Sequence, residues 1–102
     1  MKKQKLIHPG EHLRALLDEI GVSHYRFAHA SGIPASAVCT ICAGRRAITA
    51  ANAIRIARTL NMTPEFWIRF QARYDFERAQ MLFPPSKIAK IAPLPEVAKI
   101  AP

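Results

Sequence analysis

Two cysteines and four histidines are the residues of this 102-residue chain whose side chains most often perform chemistry. Cys39 and Cys42 form a C-x-x-C pair, a spacing found in zinc sites and thiol redox centres. A structural zinc site needs a second pair of ligands, and a thioredoxin-type pair follows a strand, which the sequence here does not predict. We expect Cys42 in the core, Cys39 on a helix surface, and no metal ion or other cofactor. A redox role of Cys39 is an open alternative.

The histidines do not form a catalytic pattern. His8, His12, His24 and His29 are scattered along the chain, with no His/Cys/carboxylate constellation and no glycine-rich phosphate loop. We therefore predict that the protein is not an enzyme. Turnover that disappeared with mutation of these histidines would reveal one.

The charge is biased toward one sign in the middle of the chain. Fifteen Lys plus Arg against seven Asp plus Glu give a formal net charge of +8. Residues 20–64 contain no Asp, Glu or Lys, but they include Arg26, Arg45, Arg46, Arg55 and Arg58. Such a segment favours phosphate as its counterpart, and therefore a nucleic acid. The alternative is a protein-interaction module whose basic surface binds an acidic partner and not DNA.

Neither secretion nor membrane insertion is expected. Residues 1–5 are basic, but His8-Pro9-Gly10-Glu11 follows where a signal peptide would have its apolar segment. The longest uncharged run, 27–44, is too polar for a spanning helix. We expect a cytoplasmic protein, in which a structural disulfide is not expected.

Hydrophobic periodicity and capping signals predict five helices in one small domain. The first begins at Pro9, buries the side of Leu13, Leu16, Leu17 and Ile20, and ends at Gly21. The other signals are Ser23 and Gly32 around the second helix, Pro34 and Gly44 around the third, Thr49 before the fourth, and Thr63-Pro64-Glu65 before a fifth helix that runs to about Phe83.

The second and third helices are short and are joined by a glycine turn, which predicts a helix-turn-helix. Ala28, Gly32 and Val38 fall where this motif needs a small contact residue, a residue that tolerates positive φ, and an apolar anchor. The third helix would then be the recognition helix, with Val38, Ile41 and Cys42 facing inward.

The residues on the outer face of the third helix are small, so the backbone can approach the bases closely. Ser36 and Thr40 can hydrogen-bond base edges, and the alanines can contact thymine methyl groups. Two arginines after the helix, and a histidine at the start of the second helix, are placed to contact phosphates. The predicted DNA-contacting residues are His24, Ala35, Ser36, Ala37, Cys39, Thr40, Arg45 and Arg46.

The fifth helix carries five aromatic residues between 66 and 76, more than one side of a helix can bury in its own domain. We expect Trp67, Phe70 and Tyr74 to complete the core. The residues expected in the interface of a symmetric dimer are Phe76, Met81, Leu82 and Phe83. Such a dimer would read half-sites roughly 34 Å apart. The alternative is a monomer whose apolar helix end is covered by the tail.

The character of the sequence changes after the fifth helix. Pro84-Pro85 breaks the helix, and AKIAP then occurs twice, at 89–93 and 98–102. We predict a basic arm at 1–7, the helix-turn-helix and dimerisation domain at 8–83, and a flexible Pro-rich tail, disordered or extended, at 84–102. Addition of the tail as a strand to a partner's sheet is the alternative.

Three segments, HPGEHLRALLDEIGVS, YRFAHASGIP and AGRRAITAANAIRIARTLNMTPEFWIRFQARYDFE, resemble the HigA-type (VapI-like) antitoxins. These belong to the lambda-repressor-like (Xre) helix-turn-helix superfamily, and the match spans residues 8–77. The resemblance implies an all-α, five-helix fold and a repressor of its own operon that dimerises largely through its C-terminal helix and binds a palindromic operator on double-stranded DNA. It also implies neutralisation of a HigB toxin, a RelE-like mRNA endonuclease.

This sequence departs from the family pattern on the side that would face DNA. His24 stands where the superfamily often has Gln, and the outer face of the third helix is poorer in large polar residues than in many relatives. The operator sequence therefore does not transfer from them. A stand-alone Xre-type repressor without a toxin partner is the alternative function.

Overall fold

A computed structural model describes residues 6–100; most of the predicted basic arm and the last two residues of the second AKIAP repeat lie outside the described residues. All five predicted helices are present, and the part of the chain that is described contains no strand. The all-α prediction is confirmed. The helices are α1 (Pro9–Ile20), α2 (His24–Ser31), α3 (Ala35–Cys42), α4 (Ala50–Leu60), α5 (Pro64–Leu82) and a short α6 (Pro85–Ile88), followed by a 3-10 helix (Pro95–Lys99).

Capping residues hold the helix ends as the sequence predicts. The hydroxyl oxygens of Ser23 and Thr49 accept hydrogen bonds from backbone N–H groups three residues further on, both at 3.1 Å. The helices α1 and α2 end at Gly21 and Gly32, which adopt the left-handed conformation with φ of 71° and 76°.

A single core joins the first five helices. Trp67 on α5 is fully buried, as predicted, whereas Phe70 and Tyr74 are half-buried. Ile20 departs from the prediction because it ends α1 at the edge of the apolar stripe and is 57% exposed. The largest fully buried aliphatic and aromatic side chains are Leu13, Leu17, Phe27, Ile33, Val38, Ile41, Ile56 and Trp67.

The helices α1 and α3 meet closely at Gly10. A Cβ atom on this residue would collide with the carbonyl oxygen of Ile41, so only glycine lets the first turn of α1 approach the last turn of α3. The start of α1 therefore fixes the position of the end of α3.

Short helical turns follow α5 where the sequence predicts an extended or disordered tail. Pro84 and Pro85 end α5 as expected, and Pro85 then occupies the first position of α6. No side chain of α6 or of the 3-10 helix is buried. This segment adds nothing to the core, and its flexibility stays a prediction.

Candidate nucleic-acid interface

The helices α2 and α3 form a helix-turn-helix around Gly32. Ala28 and Val38 are buried on the two sides of the turn, and Gly32 supplies the positive φ between them. Ile33, directly after the turn, is buried as well. The sequence thus assigned these positions correctly, because the motif demands a residue of a particular size or backbone conformation at each.

A side chain from outside the motif contacts its turn. The guanidinium of Arg55, on α4, donates a hydrogen bond to the carbonyl oxygen of Gly32. The sequence shows Arg55 only as one member of the basic segment, because nothing local marks a partner 23 residues away.

The outer face of α3 carries four of the five residues predicted there. Ala35, Ser36, Cys39 and Thr40 are exposed. Ala37 is only 4% exposed, so its predicted position on the outer face is wrong. It lies four residues before Ile41 and next to Val38, on the stripe that α3 turns toward the core.

The hydroxyl of Thr40 is oriented by its own helix. Its Oγ1 lies 3.0 Å from the carbonyl oxygen of Ser36 and 3.1 Å from that of Ala37, and it donates to these acceptors. The single hydroxyl hydrogen is thereby occupied, while the oxygen of this exposed residue keeps lone-pair capacity to accept. Thr40 is therefore suited to accept a hydrogen bond from the amino group of adenine or cytosine.

The first residue of α2, His24, contacts Cys39 on the outer face of α3. The Nδ1 atom of His24 is 3.8 Å from the sulfur of Cys39, which brings these two predicted contact residues together. His24 is half-buried and Cys39 exposed. The candidate interface therefore combines side chains from both helices of the motif.

The two cysteines of the C-x-x-C pair face in different directions. Cys42 is buried, and this burial raises the pKa of its thiol to about 11, so the thiol stays protonated near neutral pH. Cys39 lies at the surface, as predicted. Residues 6–100 contain no group of three or more His, Cys, Asp or Glu side chains placed to hold a metal ion.

A short loop with two exposed arginines follows α3. Gly44 adopts φ of 76°, and the N–H of Arg45 donates to the carbonyl oxygen of Thr40 at 3.0 Å, which closes the helix. Arg45 and Arg46 then lie at the surface, and neither forms an ion pair with another described residue. Both guanidinium groups are available to an external anion beside the end of α3.

His8 lies behind this loop and forms a capping box at the start of α1. Its Nδ1 accepts a hydrogen bond from the N–H of Gly10 at 2.9 Å, and a carboxylate oxygen of Glu11 accepts one from the N–H of His8 at 3.1 Å. The ring of Tyr74 packs edge-on against the imidazole with the centroids 4.9 Å apart. Burial lowers the pKa of His8, although the charges of Glu11 and Asp75 oppose this. The H-x-x-E spacing of His8 and Glu11 is the sequence signal that could have indicated this capping box.

The end of α5 presents the apolar residues expected in a dimer interface. Phe76, Met81, Leu82 and Phe83 are all more than half exposed. An open groove of about 570 Å³ runs between α5 and α6 and includes Phe76 and Phe83 in its lining. This exposure is what an unpartnered interface requires, and the dimer itself stays a prediction.

No helix in the described range 6–100 is both long enough and apolar enough to cross a membrane.

Known proteins resemble this chain in sequence and in fold. Residues 13–67 match the helix-turn-helix family. The structure of an addiction module antidote protein of a HigA family from Coxiella burnetii has a TM-score of 0.79 and 34% identity, covering 89% of this chain and 100% of that chain. The Pseudomonas aeruginosa antitoxin HigA with the higBA promoter has a TM-score of 0.81 and 33% identity, covering 88% and 99%. Virulence-associated protein A' of Dichelobacter nodosus is 30% identical over 90 residues, 79% of this chain and 78% of its own length.

Proposed function

Because the chain belongs to the helix-turn-helix family and has the fold of HigA antitoxins, we propose that it is a DNA-binding antitoxin that represses its own operon. The relative from Pseudomonas aeruginosa was solved with the higBA promoter, which supports a promoter as the target here. The action is binding and not catalysis. The protein would act in the cytoplasm, where operator DNA is found.

The observation that carries this proposal is the pair of arginines at the end of α3. Arg45 and Arg46 are exposed, neither forms an ion pair with another residue of the range 6–100, and they lie in a segment without acids. Phosphate oxygens are the partners that such an arrangement recognises. The exposed side chains of α3 lie beside this loop and can reach base edges once the phosphates are held.

We further propose that two copies act together on a palindromic operator. A single recognition helix covers too few base pairs for high specificity, whereas a two-fold dimer reads two half-sites. The exposed apolar end of α5, in the proposed domain 8–83, supports an interface between copies. The proposed interface residues are Phe76, Met81, Leu82 and Phe83.

The proposed protein partner is a HigB-like toxin, which the antitoxin would neutralise by binding. The support is the similarity to HigA antitoxins. Co-expression with a small reading frame beside the gene tests this part: the frame should arrest growth alone and not with the antitoxin. If it arrested growth in both cases, the toxin proposal would be wrong.

The DNA proposal is tested by a gel shift on the segment directly upstream of the gene. We expect binding that survives an excess of random duplex. The same assay on an unrelated promoter is the control, and equal binding to both would leave only non-specific DNA binding. An absence of binding to any duplex would favour the protein-interaction alternative.

A further inference from the structure

Two buried polar side chains support the arginine loop from behind. Within residues 6–100, His8 and Gln71 are the polar side chains that the fold buries almost completely. They come from opposite ends of the domain's sequence, yet both lie beside the segment 44–48: His8 faces Gly44, and Gln71 forms a hydrogen bond with Ile48. Burying a polar group is unfavourable unless it is hydrogen-bonded, so their partners indicate what they do.

Gln71, on α5, holds the far end of the loop. Its Oε1 accepts a hydrogen bond from the backbone N–H of Ile48 at 2.9 Å. Its Nε2 donates to a carboxylate oxygen of Asp75 at 3.0 Å, one turn further along α5. The contact with Asp75 fixes the orientation of the amide, because a carboxylate accepts only from the nitrogen side. The oxygen of Gln71 therefore points at the loop.

His8 supports the near end of the loop. A Cβ atom built on Gly44 would lie 3.6 Å from the Cβ of His8, so this side of Gly44 faces the histidine. The N–H of Gly44 donates to the carbonyl oxygen of Ile41 at 2.9 Å, which anchors the near end of the loop to α3. The capping box of α1 and the ring of Tyr74 hold the imidazole in place. Gly44 also adopts φ of 76°, a conformation that favours glycine.

Only three residues separate the two supported positions, and all three are exposed. Arg45, Arg46 and Ala47 therefore belong to a segment whose first and last residues are both anchored to the domain. Such a loop has lost most of its backbone freedom before any ligand arrives, which lowers the entropic cost of binding.

We propose that Gln71 is a positioning residue for DNA binding: it holds the Arg45–Arg46 loop in register with α3 and does not itself touch DNA. The inference rests on the proposed DNA-binding function. It makes α5, whose sequence predicts a dimer interface, a structural part of the DNA site. His8 supports the other end of the same loop.

The test is the salt dependence of DNA affinity in the Gln71→Met variant, which keeps the side-chain length but loses the acceptor. The slope of log K against log salt counts phosphate contacts, at about 0.9 per contact on duplex DNA. We expect the slope to fall by about one to two units although both arginines are present. Adding Gln71→Met to an Arg45→Ala, Arg46→Ala protein should change the slope little further.

Leu17→Val is the matched control, since it shortens a buried side chain on α1 that lies outside the loop. It should lower the unfolding midpoint but leave the slope unchanged at a temperature where the protein is folded. A wild-type slope in Gln71→Met, or a loss fully additive with that of the arginine variant, would overturn the proposal.

The combination Gln71→Glu with Asp75→Asn keeps the net charge and can form both hydrogen bonds, with the donor now on residue 75. We expect it to restore the slope, and failure to do so in a folded protein would count against the proposal. This double variant also tests the proposal if Gln71→Met does not fold.

Amide hydrogen exchange of Ile48, measured without DNA, separates the two levels of the argument. Gln71→Met should expose this amide to exchange, and Arg45→Ala with Arg46→Ala should not. If the wild-type protein bound no DNA but its Ile48 amide were protected from exchange, the proposed function would be contradicted, while the hydrogen bond between Gln71 and Ile48 would still be supported. A fast-exchanging Ile48 in the wild type would overturn the positioning role itself.

Discussion

The guanidinium of Arg55 donates a hydrogen bond to the carbonyl oxygen of Gly32, with 2.9 Å between Nη1 and the oxygen. This carbonyl lies in the turn between α2 and α3, where φ is 76° and the chain changes direction. The contact ties the turn of the DNA-binding motif to α4. A hydrogen bond with a charged donor is stronger than one between neutral groups.

We expect Arg55→Met to destabilise the protein, because the hydrogen bond is lost while the aliphatic part of the side chain remains. A loss of about 1.5 kcal/mol in the free energy of unfolding is expected, at the low end of the range for a hydrogen bond with a charged group because the contact is exposed. Urea denaturation measures it. Arg58→Met, on the same helix and equally charged, is the control, and equal losses in the two variants would show that the Gly32 contact contributes nothing specific.

Arg45→Ala with Arg46→Ala should weaken binding to operator and random duplexes alike. Phosphate contacts carry no sequence information, so the loss is uniform, and the salt slope should fall by about 0.9 for each contact removed. Titrations at several salt concentrations measure this. Arg69→Ala with Arg73→Ala on α5 removes the same charge elsewhere and should keep most of the slope. An unchanged slope in the loop variant would rule out the arginines as phosphate contacts.

Thr40→Val should relax base preference at one position of each half-site. The hydroxyl donates to its own helix, so its free lone pair would accept from an adenine or cytosine amino group, a contact worth about 1–3 kcal/mol. Selection from a randomised operator library detects the change. Thr40→Ser keeps the hydroxyl and is the control; an unaltered selection by Thr40→Val would mean that this side chain does not read a base.

Leu82→Asp with Phe83→Asp should convert a dimer to a monomer that binds a palindromic operator weakly. Both side chains are more than half exposed at the end of α5, so their replacement should not disturb the core. Sedimentation at micromolar concentration gives the oligomeric state. Leu94→Asp, an equally exposed change in the tail, is the control. A monomeric wild type, or a double variant that still dimerises, would contradict the proposed interface.

The free energy of unfolding should decrease as the pH is lowered, because of His8. Its pKa is lowered in the folded protein, mainly by burial, so the unfolded chain takes up a proton first as the pH decreases. The contribution is complete above the unfolded value of about 6.5 and is lost as the pH falls from there through the folded pKa. His8→Asn keeps a capping side chain without titrating. Urea denaturation at several pH values should show a smaller loss in this variant, and equal losses would assign the effect to other groups.

Local signals in the sequence predict the helices well because the residues that end them act locally. Gly21 and Gly32 end α1 and α2 in the conformation that the sequence demands of them, and Ser23 and Thr49 cap the helices that follow. Capping involves atoms within three or four residues, so a single sequence contains the whole interaction.

The candidate site is less predictable because its supports are distant in the sequence. Gln71 pairs with Ile48 and Arg55 with Gly32, each across 23 residues, and no local pattern marks either pair. Ala37 was misplaced for another reason. An alanine fits both a core and a groove, so its type does not report which way the helix is turned, and only the neighbouring stripe of Val38 and Ile41 decides.

Trp67 gives this protein an intrinsic optical reporter. It is the single tryptophan of the chain, it is fully buried, and it lies against the rings of Phe66 and His12 with centroids 5.1 and 5.8 Å away. Indole emission moves to longer wavelength when water reaches the ring, so unfolding should produce a red shift without any label. Because DNA cannot reach a fully buried ring, emission wavelength follows folding while the anisotropy of a dye-labelled duplex follows binding, and both can be recorded on one sample.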